Sequence, residues 1–247
     1  MNPASLPILT YHAIDDSGAI TATSPSWFAA TIEALDGSGL RAIDLGEWVA
    51  RGRPPAEGGY AIAFDDGLAS ILRVADVLSR RSIPATVFLV ADRIGRDNAW
   101  PGQPRGIPRA RLLDRAEILD LAARGFRFGS HGRTHARLDR MDRSEVAGEL
   151  VGSRDRIEQV VGRPCPLLAY PHGASDARVR ALAAGIYESA FGTRLSYASS
   201  GDDPHDIARI DAFYLRSPRS LASLAGGRWH PYLAVRRALR AARRAVA

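Results

Sequence analysis

Two adjacent carboxylates close one apolar run: "YAIAFDDGLAS" sets Asp65 and Asp66 directly before Gly67. Side by side, such groups repel each other, and a cation between them relieves the repulsion. Downstream, "SHGRTH" spaces His131 and His135 four residues apart. On a helical turn that spacing puts two imidazoles on one face, where they could share one ion at roughly 2.0–2.1 Å. Two histidines and one aspartate make a metal shell with positions open for water. The other aspartate is then free to take a proton from metal-bound water, whose pKa falls from roughly 15.7 toward about 7 in favourable sites. Which acid does which is left open by the residues alone. Taken singly, "FDDG" reads as a helix N-cap and turn, and the histidines as an ordinary surface pair. The combination favours a metal-assisted hydrolysis.

Such groups must be held by something rigid. Short β-rich runs recur as "PILTYHAI", "RAIDL", "YAIAFDD", "PATVFLV", "FRFGSH", "LLAYPHG", "SAFGT" and "IARIDAF". Helical spacing lies between them at 25–38, 70–81, 111–124, 143–161 and 175–184. Alternating strands and helices predict a mostly parallel sheet. Seven or eight such units predict an α/β fold closed into a barrel. The chemistry-bearing residues all fall at strand ends: His12, Asp65, Asp66, His131 and His172. The carboxyl ends of the strands form the functional face of such a barrel. One segment, "DRIGRDNAWPGQPRGIPRARL" from Asp92, is rich in Gly and Pro and reads as a long functional loop. Trp100 at its centre could stack on the flat face of a sugar or anchor the loop.

The chain has 247 residues, 46% hydrophobic and 24% charged, which suits one globular domain over 1–247. A net charge of +6 invites a nucleic-acid reading. Every basic residue is arginine, however, and the arginines are scattered, so no nucleic-acid partner is expected. They concentrate only in "VRRALRAARRAVA", which predicts a basic C-terminal helix at about 232–247. Such a helix packs its Leu, Val and Ala side and solvates its arginines; peripheral membrane contact is the competing reading. Cys165 is alone, which excludes an intrachain disulfide. No signal core or membrane-length apolar run is seen, so a cytoplasmic location is expected.

The motifs resemble those of the polysaccharide deacetylases, the NodB-homology or carbohydrate esterase family 4 proteins. "AFDDG" is similar to their first motif, "SHGRTH" to their second with Gly132 in place of a hydroxyl residue, and "AYPHG" to their third without its arginine. "LTYHAIDD" resembles a subgroup, like the poly-N-acetylglucosamine deacetylases, in which an N-terminal Tyr-His supplies a histidine. The resemblance runs from there through "ARIDAFYLR" and covers most of the chain.

It implies a deformed (β/α)₇ barrel that hydrolyses N-acetyl or O-acetyl groups of a saccharide or glycan. Carried over, Asp65 is the general base, and Asp66, His131 and His135 hold a divalent metal. Zinc is the expected ion; Co²⁺, Fe²⁺, Mn²⁺ or Ni²⁺ could fill the same shell. Tyr170, Pro171 and His172 line the groove, with the His172 N–H facing the developing oxyanion. His12 is the expected acid toward the leaving amine, with His205 as the alternative. Arg209 and Asp211 are expected as a pair that orients Asp65 or His12. His172 stands where the family carries an aromatic residue, which could change substrate choice. Two other readings remain: an amide hydrolase of a small nitrogenous molecule, and an inactive binding protein of the same fold.

Overall fold

Within a computed structural model of the chain, residues 5–217 and 230–246 are described. In chain order the elements are β1 (Ser5–Leu6), β2 (Ile8–Tyr11), β3 (Ala13–Ile14), β4 (Ala22–Thr23), α1 (Pro25–Gly37), β5 (Arg41–Ala42), α2 (Leu45–Ala50) and β6 (Gly59–Phe64). Then come α3 (Leu72–Arg80), β7 (Ala85–Leu89), α4 (Arg115–Ala123), β8 (Arg127–Ser130), α5 (Arg143–Val161) and β9 (Leu167–Ala169). The chain continues with α6 (Ala177–Ala184), β10 (Ser189–Leu195), β11 (Ala198–Ser199), β12 (Ile207–Asp211) and α7 (His230–Val246).

Seven parallel strands close a ring in the order β2, β6, β7, β8, β9, β10, β12 and back to β2, the expected (β/α)₇ barrel. The ring is uneven. β8 and β9 share one register pair, Ser130↔Leu168, and β10 shifts register against β12 between Phe191 and Leu195. Successive strand residues face opposite sides, and the two apolar clusters obey that period. Ile8, Ala61, Ala63, Phe88, Leu167, Ala169, Phe191 and Ile207 fill the interior. Leu9, Ile62, Phe64, Val87, Leu89, Leu168, Ala190 and Ile210 pack outward beneath the helices. The inward register includes Thr10 within β2 and Arg209 within β12 and, past the strand ends, reaches His12, Asp65, His131 and Pro171. This parity brings residues distant in sequence to one mouth.

Side-chain caps set the helix boundaries. Asp114 and Asp142 form capping boxes with Glu117 and Glu145, so α4 starts at Arg115 rather than at the expected 111. Asp44 caps α2, which ends "RAIDL" as a strand after Ala42 and adds a short helix that the sequence pattern had not shown. The arginine-rich C-terminal stretch lies in α7, where Leu233 is buried but Val235 and Leu239 are exposed, and Arg237 Nη1 is 3.5 Å from Leu195 O; Ala247 lies outside the described residues. No helix among the described residues is long and apolar enough to cross a membrane.

Candidate active site

Asp65 continues the inward parity of β6, and its N–H donates to Tyr11 O at 2.9 Å, so the strand pairing reaches the first acid. The chain then turns through two left-handed residues, Asp66 (φ 69°) and Gly67 (φ 70°). Aspartate tolerates that region and glycine adopts it freely. A Cβ on Gly67 would also stand 2.8 Å from Leu89 Cδ2. The turn aims the two carboxylates differently.

The Asp65 carboxylate is buried and bound by both arms of Arg209, Nη1 to Oδ1 at 2.7 Å and Nη2 to Oδ2 at 2.9 Å. Burial alone would raise its pKa, but Arg209, His131 and His12 together hold it below the ordinary value. Arg209 is fixed in turn by Gly192 O at the register shift of β10, 3.1 Å from Nε. The expected Arg209–Asp211 pairing is not made: Asp211 Oδ1 accepts from Phe213 N–H and caps the turn after β12. His12 Nε2 stands 3.9 Å from Asp65 Oδ2, beyond hydrogen-bond reach.

Asp66 faces both histidines, its Oδ1 3.4 Å from His131 Nε2 and 3.2 Å from His135 Nε2. Burial opposes its ionisation, yet the two imidazoles beside it hold it well below the usual carboxylate range. One ligand atom from each of Asp66, His131 and His135 lies within 4.8 Å of the others. The histidines do not share a helical turn, as their spacing had suggested. His131 follows β8, Gly132 turns the chain with φ 75°, and His135 itself has φ 65°. A strand end plus a left-handed loop brings both rings to one side.

The donor set suits a cation. His131 Nδ1 lies 2.8 Å from Ala169 O, and a carbonyl can only accept, so Nδ1 carries the proton. In the neutral ring Nε2 then turns a lone pair toward a carboxylate oxygen, an arrangement that a positive ion reconciles. Without one, burial pulls the His131 pKa down while Asp65 and Asp66 more than offset it, leaving it raised. His135 Nδ1 is buried without a hydrogen-bond partner among the described residues.

Trp100 lies against His135, ring centroids 4.1 Å apart and nearly parallel, and is 6% exposed. The long loop that carries it is pinned: Asn98 Nδ2 donates to Pro108 O, Asn98 Oδ1 accepts from Ala110 N–H, and Asp97 pairs with Arg109. His172 sits exposed with φ 59° and meets His135 edge-on at 4.5 Å. Partial burial and the neighbouring His135 and His131 bring its pKa down to about 4. In this turn the N–H groups of Tyr170, Gly173 and Ala174 donate to Phe191 O, Tyr170 O and Pro171 O. The Tyr170 hydroxyl donates away from the site to His205 O. His205 precedes β12, and its Nε2 lies 3.1 Å from Tyr187 O. A cavity of about 250 Å³ joins His12, Asp65, Asp66, Trp100, His131, His135 and His172; His205 is not among its lining residues. Glu149, which binds the loop between the two histidines, was not singled out by sequence reasoning; a polar residue on a buried helix stripe was its only signal.

A closed seven-stranded parallel barrel of this kind is the NodB type of fold. The chain belongs to the polysaccharide deacetylase family, whose sequence model matches residues 52–186, more than half of the chain. That segment contains Asp65, Asp66, His131, His135 and the 170–173 turn. YxkH of Bacillus subtilis (strain 168), whose name places it among the polysaccharide deacetylases, is 22% identical over 213 residues, 84% of this chain and 71% of its own. Similar folds include the polysaccharide deacetylase BC0361 of Bacillus cereus, with TM-score 0.75 and 24% identity over 90% of this chain and 69% of that one. IcaB from Ammonifex degensii is similar with TM-score 0.74 and 21% identity, covering 90% and 96% of the two chains. Family membership assigns hydrolysis of carbon–nitrogen bonds other than peptide bonds, on an acetylated saccharide.

Proposed function

We propose that the chain is a divalent-metal-dependent deacetylase that removes N-acetyl or O-acetyl groups from a saccharide or glycan. The observation that carries this reading is the convergence of Asp66, His131 and His135 within 4.8 Å beside the buried Asp65. Those three residues would hold the ion. Zinc is the first candidate, with Co²⁺, Fe²⁺, Mn²⁺ and Ni²⁺ compatible with the same donors. When bound, such a cation polarises the acetyl carbonyl and lowers the pKa of the attacking water.

The remaining roles fall to the chain. Asp65, kept ionised and aimed by Arg209, takes the proton of the attacking water. Its pairing makes it a weak base in exchange for fixed orientation. The His172 N–H, with no acceptor among the described residues, is the oxyanion donor in a turn whose other N–H groups are engaged. His12, on the same cavity wall, delivers a proton to the departing amine. Trp100 and the exposed His172 ring bound the space where the sugar rests.

The test is acetate release from a panel of acetylated saccharides, with chelator and with each metal added back. Activity should vanish on chelation and return with metal. Asp65→Asn should retain the ion and lose turnover by about 10²–10⁴-fold, the usual worth of a general base. Undiminished turnover in that variant would remove Asp65 from the mechanism.

A further inference from the structure

Glu149 lies mid-way along α5, is 6% exposed and does not line the cavity. Its Oε2 accepts the N–H groups of Arg133 (2.9 Å) and Thr134 (3.0 Å), and its Oε1 accepts the Thr134 hydroxyl (2.8 Å). No arginine or histidine pairs with it among the described residues. A buried carboxylate without a cation must be met by hydrogen-bond donors, and here every donor comes from the loop between His131 and His135. One turn further along the same face of α5, Ser153 bonds the Ser130 hydroxyl, which accepts the Gly132 N–H at 3.2 Å. From the opposite side the loop meets Pro171: a Cβ on Gly132 would stand 3.1 Å from Pro171 Cγ and 3.4 Å from Glu149 Oε2. The left-handed Gly132 and His135 are thus clamped between a helix and the 170–173 turn.

We propose that Glu149 is the positioning residue of the candidate metal centre. It fixes the loop so that the two imidazoles already converge on Asp66 before an ion arrives. This rests on the metal reading above. Without Glu149 the Arg133 and Thr134 N–H groups lose their acceptor, the loop relaxes toward water, and His135 leaves its place beside Asp66. Residues that orient metal ligands in this way typically change affinity by about 10–100-fold.

The experiment is titration of metal-stripped protein with Co²⁺, followed by its visible absorption, at a temperature below the melting transition of each metal-free variant. Glu149→Ala should weaken Co²⁺ binding by about 10–100-fold and alter the absorption band. Glu149→Gln should stay within a few-fold of the parent, because its amide oxygen can accept both N–H groups and its amide nitrogen can donate to Thr134 Oγ1. Thr134→Val should fall between the two. Parent-like affinity in Glu149→Ala overturns the proposal while leaving the metal reading intact. A parent protein that binds no Co²⁺ overturns both, and Asp66→Asn serves as the reference for a lost ligand. Should Glu149→Ala fail to fold, Thr134→Val decides: weakened binding supports the clamp, and unchanged binding overturns it.

Discussion

At the scale of single residues, the two acids of "FDDG" have been given different company. Asp65 is neutralised by Arg209 inside the barrel, whereas Asp66 faces two imidazoles. Removing one partner of a buried ion pair is costly because it leaves the other charge stranded. Arg209→Met should therefore destabilise the metal-free protein by about 3–5 kcal/mol. Asp65→Asn combined with Arg209→Met should recover much of that loss. Urea unfolding of the two single variants and the double variant measures the coupling, and additive losses would contradict it. His172 yields a pH prediction. Its pKa of about 4 when folded lies below the 6.5 of a free ring, so between those values the unfolded chain binds more protons. Stability attributable to this ring then declines as pH falls from 6.5 to 4, softened because the ring is exposed. His172→Asn should flatten that part of the profile, and nuclear magnetic resonance titration should find the metal-free ring changing near 4; a midpoint near 6.5 would contradict the assignment. The residue types at the mouth were legible in the chain because strand ends are legible. The partners were less so. Arg209 and Asp211 look alike as orienting residues in "ARIDAF", yet both lie at inward register and only the first reaches Asp65. What separates them is depth in the barrel, which linear spacing does not encode.

At the scale of elements, strand parity decides which side chains meet at the mouth. Apolar β-rich runs and helical spacing disclosed the seven barrel strands and the long helices, and "RSEVAGELVGSRDRIEQVV" matches α5 from Arg143 to Val161. The misjudged parts were local competitions. Asp44 preferred to cap α2 rather than extend β5, and "SHGRTH" took a left-handed loop where its spacing allowed a helical turn. Glu149 shows why a loop can be opaque: its shape is decided by a residue on a later helix. β8 offers a clean element-level test. Gly129 lies inward with its absent Cβ 2.6 Å from the Phe88 ring and 3.0 Å from Leu167 O. Gly129→Ala should force those groups apart and cost about 1–3 kcal/mol, as overpacking does. A variant with parent-like unfolding would mean that the wall yields more than close packing allows.

The whole molecule closes its ring with uneven strength. Four register pairs join β7 to β8 and four join β2 to β6, but one joins β8 to β9. Amide hydrogen exchange, which reads local opening, should therefore be faster along β8 and β9 where they meet than along β6 and β7. Equal protection throughout would show that helices α5 and α6, rather than strand pairing, hold the seam. The same seam carries His131 on one side and the Pro171 turn on the other, so opening there would part the metal-loop clamp from its lower jaw. The long loop over the mouth has a consequence of another kind. Trp27 and Trp48 donate their indole N–H groups to Leu215 O and Pro54 O, whereas the Trp100 indole lies flat on a ring that would bind the ion. Charge arriving on that imidazole must be felt by the indole's excited state. Adding Co²⁺ or Zn²⁺ to the metal-stripped protein should therefore change its intrinsic fluorescence, and an unchanged signal would contradict that coupling.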